Sequence, residues 1–354
     1  DIWINTKMLR IITAIEQRVT RKHQRNTRIH KSREDKVLKK IYITRKLPEE
    51  IIEPLRKKFD VQMWHSETIG MTNEEIITNA KDAHALWTML SDNIDRTLIE
   101  SLPNLKVISN FGVGYNNIDI EAAKDRSIVV TNTPGVLTET TADLAFALLL
   151  ATARRITEVE QEIRSGNWDS WSPMQYTGMD VFGATLGIVG MGRIGEAVAR
   201  RAKGFDMNVL YHNRSRKLDA EETYGFTYAE LDELLKQSDF VILLTPLTPE
   251  TKGLIGEREL NMMKETAAII NVARGGIVDE QALYEALASK KIWAAGLDVF
   301  EQEPVPVDHP LLTLSNVTVS PHIGSASIRT RQAMMQMNAK DIEAVLENRE
   351  PHNR

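Results

Sequence analysis

The feature that most constrains this chain is a six-residue turn, Gly190-Met191-Gly192-Arg193-Ile194-Gly195. It follows directly on the apolar run 186–189 and opens a helical stretch that carries Ile194, Val198 and Ala202 on one face. G-x-G-x-x-G alone is weak evidence, but between a strand and a helix it is a dinucleotide fingerprint. Gly190 permits the tight turn, Gly192 lets the backbone approach a pyrophosphate, and Gly195 allows close helix–strand packing. The diphosphate then rests on the helix N-terminus beside Arg193 and Ile194. A purely structural glycine turn is the plain alternative.

The next strand bears on which nucleotide. Where an acidic residue would hold the ribose hydroxyls of NAD, the chain reads His212-Asn213-Arg214-Ser215-Arg216-Lys217. No carboxylate stands there to repel a 2′-phosphate. Arg214, with Ser215, Arg216 or Lys217, can donate charge-assisted hydrogen bonds to one. NADP(H) is therefore expected to be preferred and NAD(H) accepted, unless these residues are only a solvated basic turn.

Around this turn, short β-branched runs alternate with amphipathic helical stretches from residue 37 onward, the pattern of βαβ units around parallel sheets. The fold class is α/β. Strands are expected at 40–43, 61–64, 85–89 and 107–110, with helices at 48–58, 73–80 and 95–101 between them. Six more strands are expected, at 185–189, 208–212, 240–244, 267–272, 294–299 and 317–320. A last helix at 326–348 follows the second sheet and is expected to pack back on the first, which makes the first domain discontinuous. The expected division is 37–135 plus 327–354 for one domain and 136–326 for the other.

Composition narrows the function classes. The 354 residues include no cysteine, so disulfides, thiolate nucleophiles and Cys-based metal sites are excluded, and a reducing cytoplasmic setting is expected. The eight histidines are scattered with no metal-ligand spacing, so no metal is expected. Residues 1–40 hold twelve Lys and Arg against four Asp and Glu, which leaves 32 against 45 for the acidic remainder. An acidic body argues against nucleic acid as a partner. The basic extension at 1–36 reads as a leader outside the fold, with a targeting peptide or nucleic-acid arm as alternatives. The longest apolar run, 144–151, is far too short to span a bilayer, so no membrane partner is expected.

The stretch 142–153 is apolar on nearly every face, so it belongs in a large core or under a second subunit. A homodimer interface over 137–178 is the favoured expectation, because the loop that follows the stretch carries Trp168, Trp171, Pro173 and Tyr176.

Three polar residues sit just past strands of the second sheet, where open α/β folds bind ligands: Arg274, Glu303 and His322. Singly, each has an ordinary reading as a surface ion pair or loop residue. Together they suit reduction of a 2-oxo acid. Arg274 offers a planar cation for the carboxylate and carbonyl oxygen. Protonated His322 would donate to that oxygen, with Glu303 on its other ring nitrogen, fixing the tautomer and favouring the charged ring.

With these residues in view, the sequence resembles the D-isomer-specific 2-hydroxyacid dehydrogenases, and most closely their glyoxylate/hydroxypyruvate reductases. The likeness covers nearly all of 39–349. It is carried by Leu90-Ser91-Asp92, Gly112-Val113-Gly114-Tyr115-Asn116-Asn117-Ile118-Asp119 and the Gly190–Gly195 turn. Asn271-Val272-Ala273-Arg274-Gly275-Gly276, Asp298-Val299-Phe300 with Glu303-Pro304, and Pro321-His322-Ile323-Gly324-Ser325 complete it. The resemblance implies two open parallel-sheet domains, a Rossmann-type cofactor domain inserted into a discontinuous flavodoxin-like substrate domain. It implies Arg274, Glu303 and His322 as catalytic residues and small 2-oxo or 2-hydroxy acids as substrates. Leu90, Val113, Gly114, Arg274 and Ser325 would bind substrate, with Trp171 reaching in from a partner subunit. Thr245, Pro246, Thr251, Val272, Ala273, Asp298, His322 and Gly324 would join Asn213, Arg214 and Ser215 around the dinucleotide. Lactate, phosphoglycerate or 2-ketogluconate enzymes of the same family, or a dinucleotide-sensing corepressor-like scaffold, are the alternatives.

Overall fold

Two parallel sheets organise residues 38–353, the part of the chain that the computed structural model describes. The basic extension at 1–36 lies outside the described residues. The first sheet comprises β1 (Lys40–Ile43), β2 (Asp60–Met63), β3 (Ala85–Met89), β4 (Val107–Phe111) and β5 (Val129–Thr131). Their order is β2-β1-β3-β4-β5, the flavodoxin-like arrangement. Helices α1 (Glu49–Arg56), α2 (Asn73–Asn79), α3 (Arg96–Ser101) and α4 (Ile120–Asp125) connect the strands. Short polar side chains start three of them. Thr72 forms a capping box with Glu75, and Asp95 and Asp119 accept from Leu98 and Ala122 N–H. Strand β5 and helix α4 were not expected from the sequence, being three and six residues long and too short to show a period.

The second sheet holds seven strands: β6 (Thr185–Val189), β7 (Asn208–His212), β8 (Thr227–Tyr228), β9 (Phe240–Leu243), β10 (Ala268–Asn271), β11 (Ala294–Leu297) and β12 (Val317–Val319). Their order, β12-β11-β10-β9-β6-β7-β8, is that of a doubly wound dinucleotide sheet with one strand added beyond β11. Only the two-residue β8 goes beyond the six expected. Strands β9, β10 and β11 are buried along their whole length, as continuous apolar runs in a parallel sheet must be.

Helix α5 (Thr138–Ala153) packs on this sheet and beside α7 (Arg193–Lys203). Ala142, Ala145, Phe146, Leu148, Leu149 and Ala153 are buried there by the chain's own core, while Leu144, Leu150 and Ala151 stay half-buried and Ala147 stands exposed. Arg155, in the left-handed region at φ 57°, ends the run. The amphipathic α6 (Ile156–Arg164) follows and has no buried residue. Ile156, Ile163, Trp168, Trp171, Met174 and Phe182 stand exposed on and after it.

Helices α8 (Leu218–Tyr224), α9 (Leu231–Gln237), α10 (Glu257–Met262) and α11 (Glu280–Ala288) connect the later strands, and the last helix, α12 (Ile328–Leu346), returns to the first sheet. Its Met334, Met335, Ile342 and Leu346 join Ile41, Ile43, Ile52, Trp87 and Val107 in one buried cluster. Among the described residues, no helix is long and apolar enough to cross a membrane.

Candidate active site

In the second sheet the strand order reverses between β6 and β9, which opens a crevice at their carboxyl ends. The three glycines of the turn behave differently there. Gly190, at φ +104°, lies so close to the β9 side that a Cβ would fall 2.6 Å from Thr245 N. A Cβ on Gly195 would fall 2.4 Å from Gly190 O, so this glycine permits the helix to meet the strand. A Cβ on Gly192 would meet nothing within 4 Å. The first N–H groups of α7, at Arg193, Ile194 and Gly195, donate to nothing among the described residues, and the open space at Gly192 leaves room for a pyrophosphate. Thr251 accepts from Thr248 N at 2.8 Å and donates to Pro246 O at 2.6 Å, bracing the loop at Thr245 and Pro246 on the opposite lip.

The basic turn after β7 is less free than its sequence implies. Arg216 pairs with Glu221, which also accepts from Tyr211 Oη at 2.6 Å, while Lys217 Nζ lies 3.9 Å from Glu196. Asn213 donates to Ser215 O at 2.9 Å. Among the described residues, Arg214 alone of the three cations forms no hydrogen bond or ion pair. Glu221 sits only ten residues past Tyr211 but reaches the turn through a helix, α8 (Leu218–Tyr224), which strand-end reading does not cover.

The three strand-end residues converge. His322 Nδ1 lies 2.6 Å from Glu303 Oε2, and Glu303 Oε1 accepts from Phe300 N at 3.0 Å. Burial pushes the Glu303 carboxyl up. The His322 hydrogen bond and charge, the Phe300 N–H and Arg274 outweigh it and hold the group below its ordinary value. With Nδ1 on Glu303, the ring's Nε2 is left for a ligand.

Arg274 follows β10 and crosses to the first domain. Its Nε donates to Asn116 Oδ1 at 3.1 Å and its Nη1 to Ala273 O at 2.7 Å. Burial lowers its pKa, opposed by the charge of Glu303; a guanidinium remains charged regardless. The guanidinium lies directly against Gly114, where a Cβ would be 1.8 Å from Nη2. Leu90 covers Gly112 next door, its Cδ2 2.5 Å from where a Cβ would be.

The loop at 113–114 is held by its carbonyls. Asn132 donates to Val113 O and Asn110 to Gly114 O, both at 2.8 Å. Asn117 Nδ2 ties the same loop to Met89 O and Asp92 O. The N–H groups of Val113 and Gly114 donate to nothing among the described residues, which suits a carboxylate. These asparagines were missed in the sequence. The signal was available, since Ser109 and Asn110 interrupt the apolar run of a strand and buried amides need partners.

Asp298, just past β11, is fully buried. Its carboxylate accepts from Ser320 Oγ at 2.6 Å, Ile323 N at 2.8 Å and Gly324 N at 2.9 Å, and its carbonyl accepts from His322 N at 2.8 Å. His322 occupies the left-handed region at φ 53°, and these bonds hold it there. Ser325 follows in the same loop, and buried Val272 and Ala273 lead from β10 to Arg274. Trp171 is 77% exposed on the segment after α6, and none of the contacts that assemble the cleft involve it.

Comparison with known proteins gives the chain its relatives. Residues 146–324 match the family model described as "D-isomer specific 2-hydroxyacid dehydrogenase, NAD binding domain". A glyoxylate reductase of Korarchaeum cryptofilum is 49% identical over 315 residues, 89% of this chain and 95% of that one. A glyoxylate reductase of Thermococcus gammatolerans is 49% identical over 86% of this chain and 92% of its own length. Among solved structures, an NADPH-dependent glyoxylate/hydroxypyruvate reductase from Sinorhizobium meliloti, in complex with NADP and malonate, is 34% identical. It superposes with a TM-score of 0.79 over 89% of this chain and 96% of that one.

Proposed function

The chain belongs to the D-isomer-specific 2-hydroxyacid dehydrogenases, and from that premise we propose that it reduces glyoxylate to glycolate and hydroxypyruvate to D-glycerate. NADP(H) is the preferred dinucleotide and NAD(H) is accepted. The observation that carries the reading is the convergence of Arg274, the Glu303–His322 pair and the free N–H groups of Val113 and Gly114 on one cleft.

The first domain, with α12, binds the 2-oxo acid, and the second holds the dinucleotide, which when bound supplies the hydride. Arg274 and the Val113–Gly114 N–H groups take the carboxylate. The guanidinium also polarises the carbonyl. Glu303 keeps the His322 proton on Nδ1, so a protonated ring gives its Nε2 proton to the carbonyl oxygen and is left neutral in the correct tautomer. Reduction thus consumes one proton, and low pH favours it over oxidation. Leu90 and Ser325 border the substrate. Asp298 positions the His322 loop, and its Oδ2, with one donor so far, can take a second from a carboxamide.

Arg214, left unpaired among the described residues, supports the NADP(H) preference. The exposed apolar side chains from Ile156 to Phe182 support a homodimer in which Trp171 reaches the neighbouring cleft. The cysteine-free composition fits a cytoplasmic setting.

Nicotinamide absorbance with glyoxylate, hydroxypyruvate, pyruvate and 2-ketogluconate, each with NADPH and NADH, tests the reading. His322→Ala is expected to lower kcat about 10²-fold or more with dinucleotide affinity little changed. Turnover of no 2-oxo acid, or near-normal turnover by the variant, would reject it.

A further inference from the structure

A second His–Glu pair lies behind the first. Glu280 begins helix α11 (Glu280–Ala288), and its Oε2 lies 3.1 Å from His309 Nε2. Both side chains are largely buried, 14% and 18% exposed. Leu311 N donates to His309 Nδ1 at 3.3 Å, so the ring's proton sits on Nε2 and points at the carboxylate. The other oxygen, Glu280 Oε1, accepts from Glu301 N at 2.6 Å.

That N–H belongs to the peptide joining Phe300 to Glu301, which is gripped on every side. Gly275, next to Arg274, backs onto it so closely that a Cβ would stand 1.8 Å from Phe300 O and 2.3 Å from Glu301 N. Phe300 N is taken by Glu303 Oε1 at 3.0 Å. The His309 ring meets the Phe300 ring edge-on, with centroids 6.0 Å apart. One short segment therefore packs on Gly275 beside Arg274, carries Glu303 and is anchored by Glu280.

We infer that Glu280 and His309 are positioning residues for the reaction, clamping the Phe300–Glu301 peptide and thereby holding the Glu303 carboxylate on His322. The inference rests on the reading of Glu303 and His322 as the acid pair. A glutamine at 280 cannot replace the carboxylate. Its amide has one acceptor for two facing donors, so either the Glu301 N–H or the His309 N–H loses its partner. A loose anchor leaves Glu303 free to swing, and misplacement of a catalytic group lowers turnover more than binding.

The test uses the full chain with Glu280→Ala, Glu280→Gln, Glu303→Gln and, as a control on the exposed face of α11, Glu285→Ala. Three quantities are read: the downfield proton resonance of the His322 Nδ1–H in the protein alone, kcat for glyoxylate with NADPH, and the Kd for NADPH by fluorescence. Both Glu280 variants are expected to broaden or lose the resonance and to lower kcat about tenfold, with Kd within about twofold. Glu285→Ala is expected to match the unsubstituted protein in all three. If Glu280→Ala fails to fold, Glu280→Gln decides. A folded Glu280→Gln with kcat within twofold of normal overturns the inference, as does a reduced kcat with the resonance intact. A resonance that survives Glu303→Gln removes the acid pair itself, a different failure.

Discussion

Gly114→Ala probes the cleft with a single methyl group. Gly114 is outside the left-handed region, so alanine fits its backbone and any effect must come through what the methyl meets. It meets the Arg274 guanidinium, at 1.8 Å from Nη2, 2.7 Å from Cζ and 3.1 Å from Nε. Ordinary contact begins near 3.4 Å, so the guanidinium must retreat by about 1.6 Å. That breaks its bond to Asn116 Oδ1 and carries it off the loop that faces the substrate carboxylate. The atoms that yield are the tip of a flexible side chain, so the melting temperature should move by only a few degrees. Misplacement on the ångström scale costs about 10²-fold in rate, which is about 2.7 kcal/mol in the barrier. Steady-state kcat/KM for glyoxylate with NADPH is therefore expected to fall about 10²-fold, with NADPH Kd unchanged. In an Arg274→Ala background the same glycine change should cost less than about threefold, because the residue it displaces is gone. Near-normal activity of Gly114→Ala, or an equal loss in both backgrounds, would refute the reasoning.

Other predictions separate the remaining parts of the site. Arg214→Ala should weaken NADPH about tenfold or more and leave NADH nearly unchanged, whereas Arg216→Ala, whose cation is already paired with Glu221, should shift NADPH by less than about threefold; titration by fluorescence decides. Gly275→Ala would put a methyl group 1.8 Å from a backbone carbonyl that cannot rotate away, so a loss of about 3 kcal/mol or more in urea unfolding is expected. Asp298→Asn turns an amide N–H toward Gly324 N–H and loses one buried hydrogen bond, about 1–3 kcal/mol. Burial raises the Asp298 pKa against its hydrogen-bond donors, so its contribution is full below the ordinary carboxyl value and fades as pH rises through the folded value. The penalty of Asp298→Asn should therefore be larger near pH 4 than near pH 7, and urea midpoints that show the reverse would refute the sign.

Where periodicity and turn chemistry are local, the sequence alone determined the outcome. The α/β class, most strands to within a residue or two, and the glycine turn follow from apolar runs and from a backbone that only glycine can adopt. The ends of strands β10, β11 and β12 nominated Arg274, Glu303 and His322 because parallel sheets aim the residues after each strand at one edge. The tertiary structure decided what no short window holds. It packed one side of α5 against the chain's own core, paired Arg216 with Glu221 through a helix, and gave Asp298 the further task of anchoring the His322 loop. It also brought Asn116 to Arg274 across 158 residues of chain, and Glu280 to the peptide beside Glu303. Hydrogen bonds and ion pairs act over a few ångströms of space and carry no sequence period, so only the folded chain reveals which of its polar groups are already spent.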